Sequence, residues 1–171
     1  MKTLLIIYRI ISFILLPIAA ILALIDIFAL FAALANPEFL LGVFMLACII
    51  IYTIASFIFL IKGIQNAKHC KPSLRDWIRV NAFVSLAFVV ISLSSSVQYL
   101  TDAALRQKAV DQTISMQSSM PAGITKEFYT RFITGTLYFM LAYAVLLLAH
   151  IFISFILLKR YKNVFELDVT I

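Results

Sequence analysis

The fold of this chain is decided by one long apolar run, IISFILLPIAAILALIDIFALFAAL, at residues 10–34. A helix needs about 20 apolar residues to cross a hydrocarbon core about 30 Å thick, because each residue advances about 1.5 Å. The run also exceeds the roughly 7–15 apolar residues of a cleaved signal peptide. We therefore expect a retained membrane-spanning helix, with cleavage at the small-x-small sequence Ala33-Leu34-Ala35 as the alternative.

Three further apolar runs follow, at residues 39–61, 78–100 and 133–158. Of the 171 residues, 64% are hydrophobic and 13% are charged, so a soluble domain of this length would expose too much apolar surface to water. The four glycines and four prolines leave no flexible linker of note. The sequence predicts an all-α protein: one integral membrane four-helix bundle over residues 1–171, with an outer segment at 101–132.

The basic residues are distributed unevenly and predict the topology. The net charge is +6, and ten of the 14 lysines and arginines lie before the first run, between residues 62 and 79, or after the fourth run. The other four lie in the outer segment, where three acidic residues offset them. The positive-inside rule therefore places both termini and the 62–79 loop in the cytoplasm. We expect a multi-pass protein of the cell membrane, with the bacterial inner membrane as its first candidate.

Several residues have the character of helix ends. Asn36 and Pro37 are suited to close the first helix and start the second, because asparagine caps helices and proline is tolerated at the first helical position. The sequence SLRD at residues 73–76 resembles a capping box for the third helix. Pro17 predicts a kink in the first helix. Residues 97–117 are expected to continue the third helix outward, up to a turn at 118–123.

The cytoplasmic loop is expected to contact anionic lipid headgroups, at about 1 kcal/mol for each basic residue near the surface. The five candidates are Lys62, Lys68, Lys71, Arg75 and Arg79. Three aromatic residues, Tyr8, Trp77 and Tyr161, occupy the positions of interfacial anchors. No nucleic-acid-binding motif accompanies these charges, so nucleic acid is not an expected partner.

Asp26 interrupts the first apolar run and raises the question of what a carboxyl group does there. Residues three, four and seven apart share a helix face, and by this spacing the face of Asp26 carries Ala19, Ala23, Ala29 and Ala33. Small residues line helix–helix contacts in membranes, so we expect Asp26 to face a neighbouring helix rather than lipid. Two interpretations stay open: a protonated, hydrogen-bonded structural group, or a proton or cation relay.

Each of the other three runs has a few polar residues on one helix face. We expect these faces, and the face of Asp26 on the first run, to pack inward. The polar residues are Cys48, Tyr52 and Ser56; Asn81, Ser85, Ser92, Ser96 and Tyr99; and Thr136, Tyr143, His150 and Ser154. Counting from the centres of the runs places Ser92 and Tyr143 near the level of Asp26, and His150 more than two helical turns away from it. We therefore expect Asp26 to bond hydroxyl groups rather than His150, and His150 to be a neutral imidazole bonded to a hydroxyl. The candidate polar seam is Asp26, Ser92, Ser96, Tyr143 and His150.

The sequence lacks the motifs of common catalytic and metal sites. His69 and Cys70 have no second ligand pair nearby for zinc. Cys48 and Cys70 are predicted at different depths, so we expect no disulfide, and Cys70 is predicted to be a free juxtamembrane thiol open to acylation. There is no glycine-rich phosphate loop, HExxH or GxSxG sequence. No enzymatic activity, catalytic residue, cofactor or metal is therefore expected.

These observations favour a non-enzymatic protein that acts by association in the membrane. Its expected partners are another membrane protein, a second copy of itself, or lipids. The alternative is a small transporter or channel that uses the polar seam around Asp26.

Overall fold

The computed structural model describes residues 2–115 and 125–166, which form helices and no strand. The α-helices are α1 (Lys2–Ala35), α2 (Leu40–Ile58), α3 (Pro72–Thr101), α4 (Ala103–Ser115) and α5 (Lys126–Arg160). A 3₁₀ turn (Pro37–Phe39) precedes α2, a π-helix (Phe59–Gln65) continues it, and a second 3₁₀ turn (Lys162–Phe165) follows α5. Four helical segments are long and apolar enough to cross a membrane, and each contains one predicted apolar run with extra residues at both ends.

The chain divides into two compact units. The first consists of the residues up to Phe88 and those from Leu147 onward, and the second is Val89–Leu146. The first unit contains α1, α2, the start of α3 and the end of α5, so segments of all four long helices pack in it. Ring contacts join them: Phe13 meets Phe57 edge-on, and Phe83 lies 5.7 Å from Phe155 between ring centroids.

The connection between α1 and α2 is the one that the sequence predicts. The Asn36 backbone N–H donates to the Ala32 carbonyl at 3.0 Å and closes α1. The Asn36 side chain then accepts a hydrogen bond from the Glu38 backbone at 3.1 Å, and Pro37 opens the following turn. One residue therefore ends the first helix and caps the next. The helix α1 itself continues through Pro17, and the kink there stays a prediction.

The two ends of α3 differ from the prediction. The helix starts at Pro72, so Ser73 lies in the first turn and the predicted capping box is wrong. The fixed backbone angle of proline favours the first helical position, which explains the shift. At the other end α3 stops at Thr101, and Asp102 Oδ1 accepts the Ala104 and Leu105 N–H groups at the start of α4. Residues 103–115 of the outer segment thus form a separately capped helix, and the predicted turn at 118–123 lies outside the described residues.

Two backbone hydrogen bonds hold the loop after the π-helix: one to the π-helix itself and one to the C-terminal 3₁₀ turn. The Lys68 N–H donates to the Lys62 carbonyl at 3.0 Å, and the Cys70 N–H donates to the Val164 carbonyl at 2.9 Å. Gly63 lies in close contact here, since an added Cβ would lie 3.0 Å from the Phe59 ring and 3.1 Å from the Val164 side chain. The C-terminal turn therefore packs directly on the π-helix.

Cys70 is a free thiol, but it is fully buried in this loop. The predicted site of acylation is therefore wrong, because the thiol is covered by the packing of the loop against the C-terminal turn. Burial also raises the pKa of the Cys70 thiol, which keeps it in the unreactive neutral form.

The long helices present large apolar side chains outward, as helices in contact with lipid do. Phe28 and Leu34 at the end of α1 are both 73% exposed. The helix α1 is the least covered of the four: 11% of the residues in its apolar window are buried, against 44% for the segments containing α2 and α5. Most positions in this window of α1 are therefore left uncovered by the described residues.

Candidate functional site

His150 lies at the centre of a buried hydrogen-bond network in the first unit. Its Nε2 atom is 2.8 Å from Ser12 Oγ, and its Nδ1 atom is 2.8 Å from the Tyr52 hydroxyl. The imidazole also stacks on the Tyr8 ring, with centroids 4.5 Å apart and planes 10° apart. One side chain on α5 thereby joins α1 and α2.

The network continues from Tyr52 through two more hydroxyl groups. The Tyr52 and Ser154 hydroxyls are 2.9 Å apart, and Ser154 donates to the Tyr8 hydroxyl at 3.2 Å. Tyr8 in turn donates to the Ser56 carbonyl at 3.4 Å, while Ser12 donates to the Tyr8 carbonyl at 2.7 Å. All members are buried. We call this group the His150 cluster; it consists of Tyr8, Ser12, Tyr52, Ser56, His150 and Ser154.

The partners of Ser12 and His150 determine which ring nitrogen of the neutral imidazole carries the proton. A neutral imidazole supplies one N–H, and the hydroxyl groups of Tyr8, Ser12, Tyr52 and Ser154 supply one hydrogen each. Ser12 uses its hydrogen on the Tyr8 carbonyl, so the bond between Ser12 and His150 needs an N–H at Nε2. Nδ1 then accepts from the Tyr52 hydroxyl.

The structure confirms that His150 bonds hydroxyl groups, and it adds two residues that the sequence analysis missed. Ser12 was not assigned to the polar seam. Tyr8 was expected to be an interfacial anchor, which is wrong, because its side chain is fully buried against His150. Residues 8 and 12 are one turn apart and share a helix face, but this spacing does not show which helix they meet.

A second polar feature lies between α1 and α2. An open groove of about 270 Å³ separates the C-terminal half of α1 from the start of α2. An added Cβ on Gly42 would meet nothing within 4 Å, so the groove is open there. We call it the Asp26 groove; it is lined by Asp26, Ala29, Ala32, Phe39, Gly42, Val43 and Leu46.

Asp26 is the one polar side chain that lines this groove. It lies beside residues of α2 in this groove, and the expectation that it packs against a helix rather than lipid stays a prediction. Its Oδ1 atom is shielded from solvent and has no hydrogen-bond partner within residues 2–115 and 125–166. Leaving a polar atom buried without a partner costs free energy, so a group that donates a hydrogen bond into the groove would stabilise it.

Within the first unit, the two predicted seam residues Asp26 and His150 do not form one site. His150 contacts α1 at Ser12, and Asp26 lies fourteen residues further along that helix, or about 21 Å at 1.5 Å per residue. The prediction that Asp26 and His150 do not pair is confirmed. Ser92, Ser96 and Tyr143 belong to the second unit, where all three are buried. The bond from Asp26 to one of their hydroxyls stays a prediction.

The remaining polar positions are mostly bonded within their own helices. Asn81 donates to the Trp77 carbonyl and Ser85 to the Asn81 carbonyl, both at 2.8 Å. Thr136 is exposed and bonds the Phe132 carbonyl, so the expectation that it faces inward is wrong. A helix with self-bonded hydroxyls does not need a polar neighbour.

The five predicted lipid contacts lie on the π-helix, the following loop and the start of α3. Lys62, Lys68, Lys71 and Arg79 are exposed, whereas Arg75 is partly buried. Arg75 Nε lies 3.7 Å from Asp76 Oδ1 and forms an ion pair. Four of the five basic side chains are therefore exposed in the part of the first unit that connects α2 and α3.

Comparisons of the chain with family models, with curated proteins and with solved structures gave no match.

Proposed function

We propose that this chain is a non-enzymatic, four-span membrane protein that acts by associating with another membrane-spanning helix, with both termini in the cytoplasm. The observation that supports this function is the Asp26 groove: small residues beside a carboxyl oxygen that has no hydrogen-bond partner within the described residues. The incoming helix would present small residues and one hydrogen-bond donor.

The groove has the properties of an unfilled helix contact. Ala29, Ala32 and Gly42 allow two backbones to approach closely, which is the main source of helix association in membranes. A hydrogen bond to Asp26 would add about 0.6 kcal/mol, the average for such bonds. The low coverage of α1 leaves room for a partner along the same helix.

Photocross-linking tests this function with a matched pair of alanines. A photoreactive amino acid replaces Ala32, which is exposed and lines the groove, or Ala20, which is exposed on α1 but does not line it. Irradiation in native membranes should give one discrete adduct from position 32 and none from position 20. Equal adducts from both positions, or none from either, would contradict the proposal.

The His150 cluster favours a second candidate function, proton transfer by a small transporter or channel. A chain of hydroxyl groups joined to an imidazole can pass protons by rearranging its hydrogen bonds. Proton flux into liposomes holding the purified protein tests this candidate. Flux that is lost in His150→Gln and Ser12→Ala but kept in His69→Gln would support it. Absence of flux in the unmodified protein would exclude it.

A further inference from the structure

Two adjoining grooves lie where α2 and α3 are connected, and together they have an apolar end and a basic end. The larger has a volume of about 500 Å³ and lies between residues 44–51 of α2 and residues 73–84 of α3. The smaller, of about 270 Å³, is lined by Lys62 and Lys71 among other residues. Ser73 and Trp77 line both, so the two grooves adjoin at these residues.

The larger groove is apolar along most of its length. Its walls include Phe44, Ala47 and Ile51 from α2, and Val80 and Val84 from α3. From residue 73 to residue 84 it follows α3 for about 16 Å at 1.5 Å per residue. One leaflet of a hydrocarbon core about 30 Å thick measures about the same. The groove therefore matches one acyl chain in length and in chemistry.

The smaller groove supplies positive charge at the end of that acyl path. Lys62 is held by the π-helix, and its carbonyl accepts the Lys68 N–H, so the loop that leads to Lys71 is fixed. Short π-helical segments occur frequently at functional sites. Asp76 lines the larger groove, but Arg75 pairs with it and offsets its charge. The charge that faces a ligand is thus positive.

Trp77 marks the boundary between the two parts. It lines both grooves and is 54% exposed, and tryptophan is enriched at the level of lipid headgroups. We propose that the two grooves bind one anionic glycerophospholipid, with an acyl chain between α2 and α3 and the phosphate between Lys62 and Lys71. This inference rests on the membrane-spanning part of the proposed function, but not on the partner helix.

Binding at a specific site can be distinguished from the general electrostatic attraction of a basic loop to an anionic membrane. Lys68 lies in the same loop and carries the same charge, yet it lines neither groove. General attraction would weaken equally when any of the three lysines is neutralised. Lipid binding at a specific site would weaken when Lys62 or Lys71 is neutralised and would not change when Lys68 is neutralised.

Native mass spectrometry of the purified full chain tests the proposal. The protein is reconstituted in vesicles of equal parts phosphatidylcholine, phosphatidylethanolamine and phosphatidylglycerol, then extracted in mild detergent. We expect phosphatidylglycerol to be retained, one molecule per chain, over the other two lipids. Lys62→Gln and Lys71→Gln should each lower its retention about fivefold, while Lys68→Gln leaves it unchanged. Equal loss in all three variants, or equal retention of all three lipids, would overturn the proposal.

A second pair of variants tests the apolar part without changing any charge. Ala47→Trp fills the larger groove, and Ala20→Trp places the same side chain on an exposed position of α1 outside both grooves. Retention should fall only in Ala47→Trp. If it persists there, the acyl chain does not lie in the groove. Failure of the photocross-linking at Ala32 would leave these results standing, so the two proposals are tested separately.

Discussion

At the scale of single residues, His150 joins three helices of the first unit. Its two ring nitrogens are hydrogen-bonded to Ser12 on α1 and Tyr52 on α2, while its own backbone belongs to α5. A buried side chain with both polar atoms bonded fixes how the helices are rotated about their axes. We infer that the His150 cluster specifies the packing of this unit.

Replacing His150 should therefore destabilise the protein. His150→Leu removes the bonds to Ser12 and Tyr52, and the expected cost is about 1–3 kcal/mol for buried polar groups that lose a partner. Unfolding in mixed detergent micelles measures this loss of free energy. His69→Leu, at an exposed position of the loop, is the control and should change nothing. A stability of His150→Leu equal to that of the unmodified protein would show that the network contributes nothing.

The residues of both polar sites were only partly predictable from the sequence. Asp26 stands out because a charged residue in an apolar run is rare, and its alanine face follows from helical spacing. Ser12 does not stand out, because a lone serine in a helix commonly bonds its own backbone, as Ser12 also does. Its second partner comes from the rotation of α5 relative to α1, which sequence spacing does not determine.

At the scale of helices and their connections, short polar residues set where helices begin and end. Asn36 and Asp102 each accept backbone N–H groups at the start of the next helical element. Asn36 was predictable because it precedes proline between two apolar runs. The break at Asp102 was not, because the surrounding sequence continues to favour helix and a single aspartate is a weak signal.

The start of α5 is joined to α4 by an exposed ion pair whose strength should depend on pH. Lys126 Nζ lies 2.6 Å from Asp111 Oδ1, and the hydrogen bond from this lysine lowers the pKa of Asp111. The pairing therefore contributes fully above the ordinary carboxyl range, about pH 4, and is lost as the pH falls through the lowered value. NMR titration of the Asp111 carboxyl should show this. Lys126→Gln should return the pKa towards the ordinary value; an unchanged pKa would contradict the ion pair.

At the scale of the whole molecule, the four apolar segments were the most predictable feature. Each run of more than 20 apolar residues corresponds to one long helix, because length and hydropathy alone define such segments. The contacts among the helices were less predictable, since lipid-facing and protein-facing positions are both apolar. The structure distinguishes them by the buried positions of small and polar residues.

The proposed topology places the loop after α2 in the cytoplasm and α4 on the opposite side. Cys70 cannot report on this because it is buried, so new cysteines are needed. In a chain carrying Cys48→Ser and Cys70→Ser, Lys108→Cys on the exposed face of α4 should react with an impermeant thiol reagent in intact cells. Lys68→Cys should react only after lysis. The reverse labelling pattern would show that the protein has the opposite topology.

The central claim is that the Asp26 groove binds a partner helix, and co-purification in mild detergent tests it most directly. Tagged protein is isolated from native membranes, and the proteins bound to it are identified and quantified by mass spectrometry. Gly42→Leu fills the groove, whereas Gly135→Leu adds the same side chain at another open position. We predict one stoichiometric partner that is retained in Asp26→Asn and Gly135→Leu and lost in Gly42→Leu. No partner with the unmodified protein, or a partner that remains in Gly42→Leu, would contradict the claim.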